Sequence, residues 1–344
     1  MATDHPARAV EPEDAAPAGA TAVAHPNIAL IKYWGKRDEG LMIPAVDSLS
    51  ITLDVFPTTT TVRLGPAGRE DRVSLGGRPA EAGVAKRVAA FLDLLRERAG
   101  RPESAVVDTR NTVPTAAGLA SSASGFAALA LAGAAAYGLE LGPAALSRLA
   151  RRGSVSAARS VFGGWAICRA GRGPGADLDS FAEPVAVPDF DPALVIVLLD
   201  ADAKSVSSRV AMRRTTETSP LYRAWADSSR TDLAEMRTAL HRGDLDLVGE
   251  IAERNALGMH ATMLAARPAV RYFSPATVTV LDHVVRLRAQ GIAAYATMDA
   301  GPNVKVLCHR EDGPRVAAEL RGAAPGCPVI IARRGPGAHL RTGQ

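Results

Sequence analysis

The chain has 344 residues, 47% of them hydrophobic and 22% charged, and carries a net charge of +4. That length calls for two domains or two fused lobes, and that balance is globular with a large core. Charges of both signs are interspersed, so nothing demands nucleic acid; Cys168, Cys308 and Cys327 lack a C-x-x-C pair, which argues against a zinc site or a disulfide frame and for reduced thiols in a cytoplasmic protein.

Residues 1–20 are rich in Ala, Pro and acids with no continuous apolar run, so a disordered leader is expected rather than a signal peptide. Residues 49–56 and 59–64 alternate in a β-like way around Pro57 and predict a hairpin or bent strand pair. Val84, Val88, Leu92 and Leu95 share one helical face, with Gly100 as the stop. Residues 105–109 predict a strand. Residues 111–139 carry no charge, but Pro114 and the serines, glycines and alanines make them too weakly apolar to span a membrane, so a buried helix is expected. A short basic helix over 143–152 ends at Gly153, and the glycines of 171–176 mark a turn. A buried strand over 194–199 begins a second lobe. Helices follow near 220–241, 244–264 and 276–290, then strands near 293–298 and 303–308, a helix near 312–322 and a strand near 328–332. This order resembles an elaborated split βαβ sandwich. The expected lobes are 21–190 and 191–335, with a frayed tail over 336–344.

Five segments are candidates for chemistry. Pro114-Thr-Ala-Ala-Gly-Leu-Ala-Ser-Ser-Ala-Ser-Gly125 opens the apolar helix with small residues and hydroxyls. Unpartnered N–H groups at a helix start attract phosphate, so Pro114, Ala116, Gly118, Leu119, Ser121, Ser122 and Ser124 are read as a nucleotide-phosphate cradle, with Ser122 a candidate magnesium ligand. The lysine of a G-x-x-x-x-G-K-[ST] loop is missing. Lys32 and Lys36 flank Tyr33-Trp34-Gly35 at the end of an apolar strand; they could clamp phosphate or be solvated. Ser154, Ser156 and Arg159 precede a double glycine, where the arginine could grip a carboxylate or phosphate, or the hydroxyls could be incidental to a turn. Ser208 and Arg209 could close over an anion or open a capped helix. Asp299 sits before the Ala-Gly-Pro-Asn turn and could act as a base, orient a hydroxyl, or cap that turn. His25, His260 and His283 show no metal spacing and are read as structural or surface residues.

Together these segments resemble the mevalonate diphosphate decarboxylases, a branch of the GHMP kinase superfamily. The resemblance covers about residues 22–335. It rests on Asn27-Ile-Ala-Leu-Ile-Lys-Tyr-Trp-Gly-Lys36, Val113-Pro-Thr-Ala-Ala-Gly-Leu-Ala-Ser-Ser-Ala-Ser124, Arg151-Arg-Gly-Ser154 with Arg159, and Met298-Asp-Ala-Gly-Pro-Asn303. It implies a two-lobed α+β fold, an N-terminal β/α nucleotide-binding lobe and a C-terminal ferredoxin-like split βαβ lobe, commonly as a homodimer. It implies ATP with magnesium and phosphorylation of the tertiary 3-hydroxyl of mevalonate 5-diphosphate, followed by loss of phosphate and carbon dioxide to give isopentenyl diphosphate. Asp299 matches the carboxylate that orients or deprotonates the hydroxyl, and Arg159 the arginine that holds the substrate carboxylate. Lys32 falls near the ATP phosphates; Tyr33, Lys36, Ser154, Ser156, Ser208 and Arg209 fall along the substrate.

The chain also departs from that pattern. Val155 stands where the family usually has Gly, Ala158 where it has Ser or Cys, Val46 and Asp47 where it has Asn, Thr or Ser, and Asp200 and Asp202 where it tends to be neutral. Two explanations are open: drift at tolerant positions, or a paralogue acting as decarboxylase or kinase on another 3-hydroxy acid. A non-catalytic nucleotide-binding protein would be expected to lose Asp299 or the serine loop, and both are present.

Overall fold

The computed structural model describes residues 19–112, 121–173, 175–187, 190–199 and 206–341. Two lobes meet along a shared core. The first carries a six-stranded sheet in the order His339–Leu340, Gly19–Ala24, Thr58–Ala67, Glu103–Asn111, Arg72–Leu75, Arg78–Pro79. Beside it stands a four-stranded antiparallel sheet in the order Ala182–Pro184, Trp165–Cys168, Ser48–Thr52, Asn27–Ile31. The helix Ser121–Ala136 packs on the larger sheet. Its alanines and glycines permit that close approach: Ala127, Ala128 and Ala130 are fully packed against Val62, Val107 and Leu92. The helix Pro143–Gly153 crowds in equally tightly, since a Cβ on Gly153 would lie 2.0 Å from the Phe126 ring.

The second lobe has a four-stranded sheet in the order Ala294–Met298, Val304–Cys308, Ala193–Val197, Val329–Ala332, antiparallel throughout. Numbered along the chain this is 2-3-1-4, the ferredoxin-like arrangement that the split βαβ order implied. The central strand Ala193–Val197 is paired on both edges and buried on both faces, which explains its unbroken apolar run. One face packs on the helices Pro275–Ala289 and Gly313–Ala323. The other shares a single core with the small sheet of the first lobe, through the antiparallel helices Tyr222–Arg242 and Leu245–Leu264. Gly243 and Asp244 make that helix turn: Gly243 takes the left-handed cap, and the Asp244 side chain accepts from the Leu247 N–H at 3.0 Å.

Several expectations change. The hairpin expected around Pro57 does not form. Ser48–Thr52 and Thr58–Ala67 lie in different sheets: the first sets Leu49 and Ile51 into the core shared with the second lobe and turns Ser48 and Ser50 to Arg159 on its other face. Gly19 and Ala20, expected to belong to a leader over 1–20, instead lie in the first strand and pair with Thr58–Ala67; the rest of that expectation lies outside the described residues. The tail expected to fray places His339 and Leu340 against Val23 and Ala22. An additional helix, Ser208–Thr218, precedes the three expected ones; its polar sequence hid it.

Candidate active site

The apolar strand Asn27–Ile31 delivers Lys32 to the junction between the lobes. The hairpin of Ala294–Met298 and Val304–Cys308 brings Asp299 to the same point, with Lys305 on the second strand. Lys32 Nζ donates to Asp299 Oδ1 at 2.9 Å, and Lys305 Nζ donates to Oδ2 at 3.1 Å. Both lysines are 1% exposed, whereas the Asp299 side chain keeps 27% of its surface open to the cleft. Burial by itself opposes a charge on Asp299, but Lys305 and Lys32 outweigh it and hold the carboxyl well below the usual carboxylate range. Burial, with Lys305 and Arg159 adding to it, pulls Lys32 down to about 8 against the pull of Asp299. Asp299 is therefore a fixed anion, better suited to accepting a hydrogen bond and stabilising positive charge than to keeping a proton.

Arg159 is 2% exposed. Its Nε donates to Ser50 Oγ at 2.9 Å and Asn27 Oδ1 at 3.3 Å, and its Nη1 to Ser48 Oγ at 2.5 Å. Asn27 is held in turn by Nδ2 bonds to Ser160 Oγ at 2.8 Å and the Ser156 carbonyl at 2.9 Å. Among the described residues no carboxylate forms an ion pair with this guanidinium. Its direct partners are neutral hydroxyls and an amide, and Asp299 acts on it through space, so the guanidinium can still take up an anion. Burial lowers its pKa from the usual arginine value.

Three hydroxyls of the first lobe form a chain: Ser122 Oγ lies 3.5 Å from Ser154 Oγ, which lies 2.9 Å from Ser156 Oγ. Ser121 and Ser122 open the helix Ser121–Ala136. Pro114, Ala116, Gly118 and Leu119 lie outside the described residues, as do Asp200 and Asp202. Ser124 does not belong to the cradle: it is fully buried, and its Oγ lies 2.7 Å from Thr58 Oγ1, fastening the helix to the sheet.

The remaining candidates spread outward. Lys36 Nζ donates to Glu39 Oε2 at 2.6 Å and stands apart from the Lys32–Asp299 pair. Tyr33 is half-buried against the cluster of Val155, Ala158, Cys168 and Ala182, and burial raises its hydroxyl pKa. Ser208 and Arg209 form the first turn of their helix, which is capped by Ser207. Arg209 faces the first lobe closely enough to help burial lower the pKa of Arg87. Gly35 explains the turn between the two lysines. Its φ is +95°, and a Cβ there would lie 2.0 Å from Tyr222 Oη, which donates to the Trp34 carbonyl at 3.0 Å. Gly35→Ala is expected to unseat Tyr222 and destabilise the protein by about 1–3 kcal/mol, read by denaturant unfolding.

The described departures from the family pattern turn inward. Val46 packs with Trp34, Ala211 and Met212. Val155 and Ala158 pack with Cys168 and Ala182. Asp47 Oδ1 accepts the Ala170 N–H at 2.7 Å, and its other oxygen lies 3.8 Å from Arg169. That carboxylate is thus occupied by its own chain. Sequence reasoning missed Lys305, a lone cation inside the apolar run Val304–Cys308, and it placed His260 among structural residues. His260 Nε2 lies 3.2 Å from the Asp299 carbonyl oxygen.

Comparison with known proteins identifies the family. Residues 24–182 match the diphosphomevalonate decarboxylase-like N-terminal domain, and residues 193–329 the mevalonate 5-diphosphate decarboxylase C-terminal domain. Diphosphomevalonate decarboxylase mvd1 of Aspergillus fumigatus is 37% identical over 326 residues, covering 88% of this chain and 80% of that protein. Phosphomevalonate decarboxylase of Haloferax volcanii is 33% identical over 305 residues, covering 86% and 90%. A solved structure described as MDDEF in complex with MVAPP, AMPPCP and magnesium superposes with a TM-score of 0.90 at 44% identity, covering 95% of this chain and all of that one. Both lobes are matched in order and nearly end to end, and on that ground the chain belongs to the diphosphomevalonate decarboxylase family.

Proposed function

We propose that this protein decarboxylates mevalonate 5-diphosphate to isopentenyl diphosphate at the expense of ATP. The observation that carries the reading is the juxtaposition of an anionic Asp299, clamped by two buried lysines, with a buried Arg159 that has no carboxylate partner among the described residues. A tertiary hydroxyl is a poor leaving group. In this reading the substrate's 3-oxygen takes a phosphoryl group, the C3–O bond breaks, and phosphate leaves with that oxygen. The C1–C2 electrons then close the C2–C3 double bond as carbon dioxide departs.

ATP with magnesium, when bound, supplies the phosphoryl group and neutralises its charge. The residues present fit that group: a helix starts at Ser121, the Ser122, Ser154 and Ser156 hydroxyls lie together beside that start, and Lys32 supplies a buried cation at the lobe junction. Ser122 would hold a phosphate oxygen or the metal. Asp299 accepts the hydrogen bond of the 3-hydroxyl, aligns its lone pair, and stabilises the positive charge that builds at C3. Arg159 fixes the carboxylate so that the breaking C1–C2 bond faces the cationic centre. Tyr33, Lys36, Ser154, Ser156, Ser208 and Arg209 serve the substrate's phosphate end. Packing of Val46, Val155 and Ala158 into the interior, and pairing of Asp47 with its own chain, support the diphosphate as substrate. Buried or half-buried free cysteines support a cytoplasmic setting, and a homodimer is proposed with it on the sequence resemblance alone.

Purified protein incubated with ATP, magnesium and mevalonate, its 5-phosphate or its 5-diphosphate tests the substrate. The diphosphate should give the highest kcat/KM. Preference for the 5-phosphate would refute that choice. Lys32 supplies a pH signature: its folded value of about 8 means the proton leaves as pH rises through 8, taking the cation from beside Asp299. Activity should fall on an alkaline limb near that pH. In Lys32→Arg the limb should vanish, because arginine keeps its proton, while the residual plateau is lower.

A further inference from the structure

We infer that the helix Leu245–Leu264 sets the geometry of the catalytic ion pair, with Asn255 and His260 as positioning residues that hold the backbones of Lys32 and Asp299. Asn255 Oδ1 accepts the Lys32 backbone N–H at 2.8 Å. His260 Nε2 lies 3.2 Å from the backbone carbonyl oxygen of Asp299. A carbonyl can only accept, so the imidazole donates there from its Nε2–H. Five residues separate the two side chains, which puts them about 140° apart around the helix. One therefore faces the first lobe and the other the second. The helix is wedged between the lobes, and its two contacts fix both halves of a pair that neither lobe could align alone.

Each anchor is itself oriented. Asn255 Nδ2 donates to Asp232 Oδ2 at 2.8 Å and to Ser229 Oγ at 3.1 Å, which leaves Oδ1 for Lys32. Arg254 Nη2 holds the other Asp232 oxygen at 2.7 Å. The His260 ring stacks on Phe273, with centroids 4.9 Å apart, and stands edge-on to Tyr272. Burial, with Lys32 adding to it, lowers His260 to about 4, so it is a neutral donor at physiological pH. It touches neither the Asp299 carboxylate nor either lysine through a hydrogen bond; it acts through the turn.

The inference rests on the proposed role of Asp299, and its test separates the two. His260→Gln keeps a donor near the Nε2 position, and His260→Met is nearly the same size without one. The methionine variant should lose about 10- to 100-fold in kcat with both KM values within about twofold, while the glutamine variant recovers most of the rate. Crystal structures of the two variants supply a readout that needs no turnover. The Lys32–Asp299 contact should survive in the glutamine variant and lengthen in the methionine variant. If the methionine variant does not fold, His260→Asn, whose amide stops short of the carbonyl, takes its place. Equal rates in the donor and non-donor variants, a loss confined to KM, or an unmoved Asp299 without the donor would each overturn the inference. A wild-type enzyme inert toward every mevalonate derivative would sink the proposed activity and leave the structural comparison to decide the positioning claim.

Discussion

Asp299→Asn is expected to lower kcat by roughly 10³–10⁴-fold, with little change in the affinity for ATP. The amide keeps the size but loses the charge that the 3-hydroxyl and the developing cation both need. It also strands two ammonium groups, each 1% exposed, that Asp299 now neutralises. Stability at pH 7 should therefore drop as well, by about 3 kcal/mol. Part of that cost is offset as Lys32, already lowered to about 8, gives up its proton. The acid dependence follows from the same cluster. The folded Asp299 carboxyl lies below its unfolded value, so the unfolded chain binds the proton first as pH falls. Its stabilising contribution is complete above about pH 4 and disappears as pH falls through the folded value. Denaturant unfolding of both proteins across that window should show their gap closing only at the acid end. A variant that retains most of its activity would remove Asp299 from the chemistry.

Arg159→Lys is expected to lower kcat/KM for the acid substrate by roughly 10²–10³-fold, while KM for ATP changes little. The charge survives, but the planar fork does not. Ser48, Ser50 and Asn27 are arranged around three guanidinium contacts, and an ammonium cannot meet all of them while reaching a carboxylate. The asymmetry between the two KM values is the informative part. A substitution that merely loosened the fold would weaken both ligands. Steady-state kinetics with each substrate varied in turn, alongside a thermal melt, separates the two cases.

Much of this site was legible in the sequence because its residues break local patterns. Lys32 follows directly on an apolar strand, Asp299 precedes a turn built of Ala, Gly, Pro and Asn, and Ser121 and Ser122 open an alanine-rich helix. Helices with one apolar face and strands with unbroken apolar runs were legible for the same reason, as in Ala82–Ala99 and Ala193–Val197. What stayed hidden depends on contacts across the chain. Lys305 gains its meaning only when a hairpin sets it beside Asp299, six residues away. Asn255 and Lys32 are 223 residues apart, and His260 was measured against metal spacings although its partner is a backbone carbonyl. The Pro57 region misled because alternation reveals a strand but not its neighbour; Thr58–Ala67 pairs instead with Gly19–Ala24 and Glu103–Asn111. Val155 and Ala158 stood out only as departures from a pattern; that they pack with Cys168 and Ala182 depends on contacts the sequence does not show.

The central claim is that the tertiary hydroxyl is phosphorylated beside Asp299 and leaves as phosphate. Mevalonate 5-diphosphate carrying ¹⁸O in its 3-hydroxyl tests this directly, with the released inorganic phosphate read by mass spectrometry. The account predicts one ¹⁸O atom in each phosphate formed, with carbon dioxide and ADP released in equal amounts. Unlabelled phosphate, with the heavy oxygen recovered in water, would contradict it.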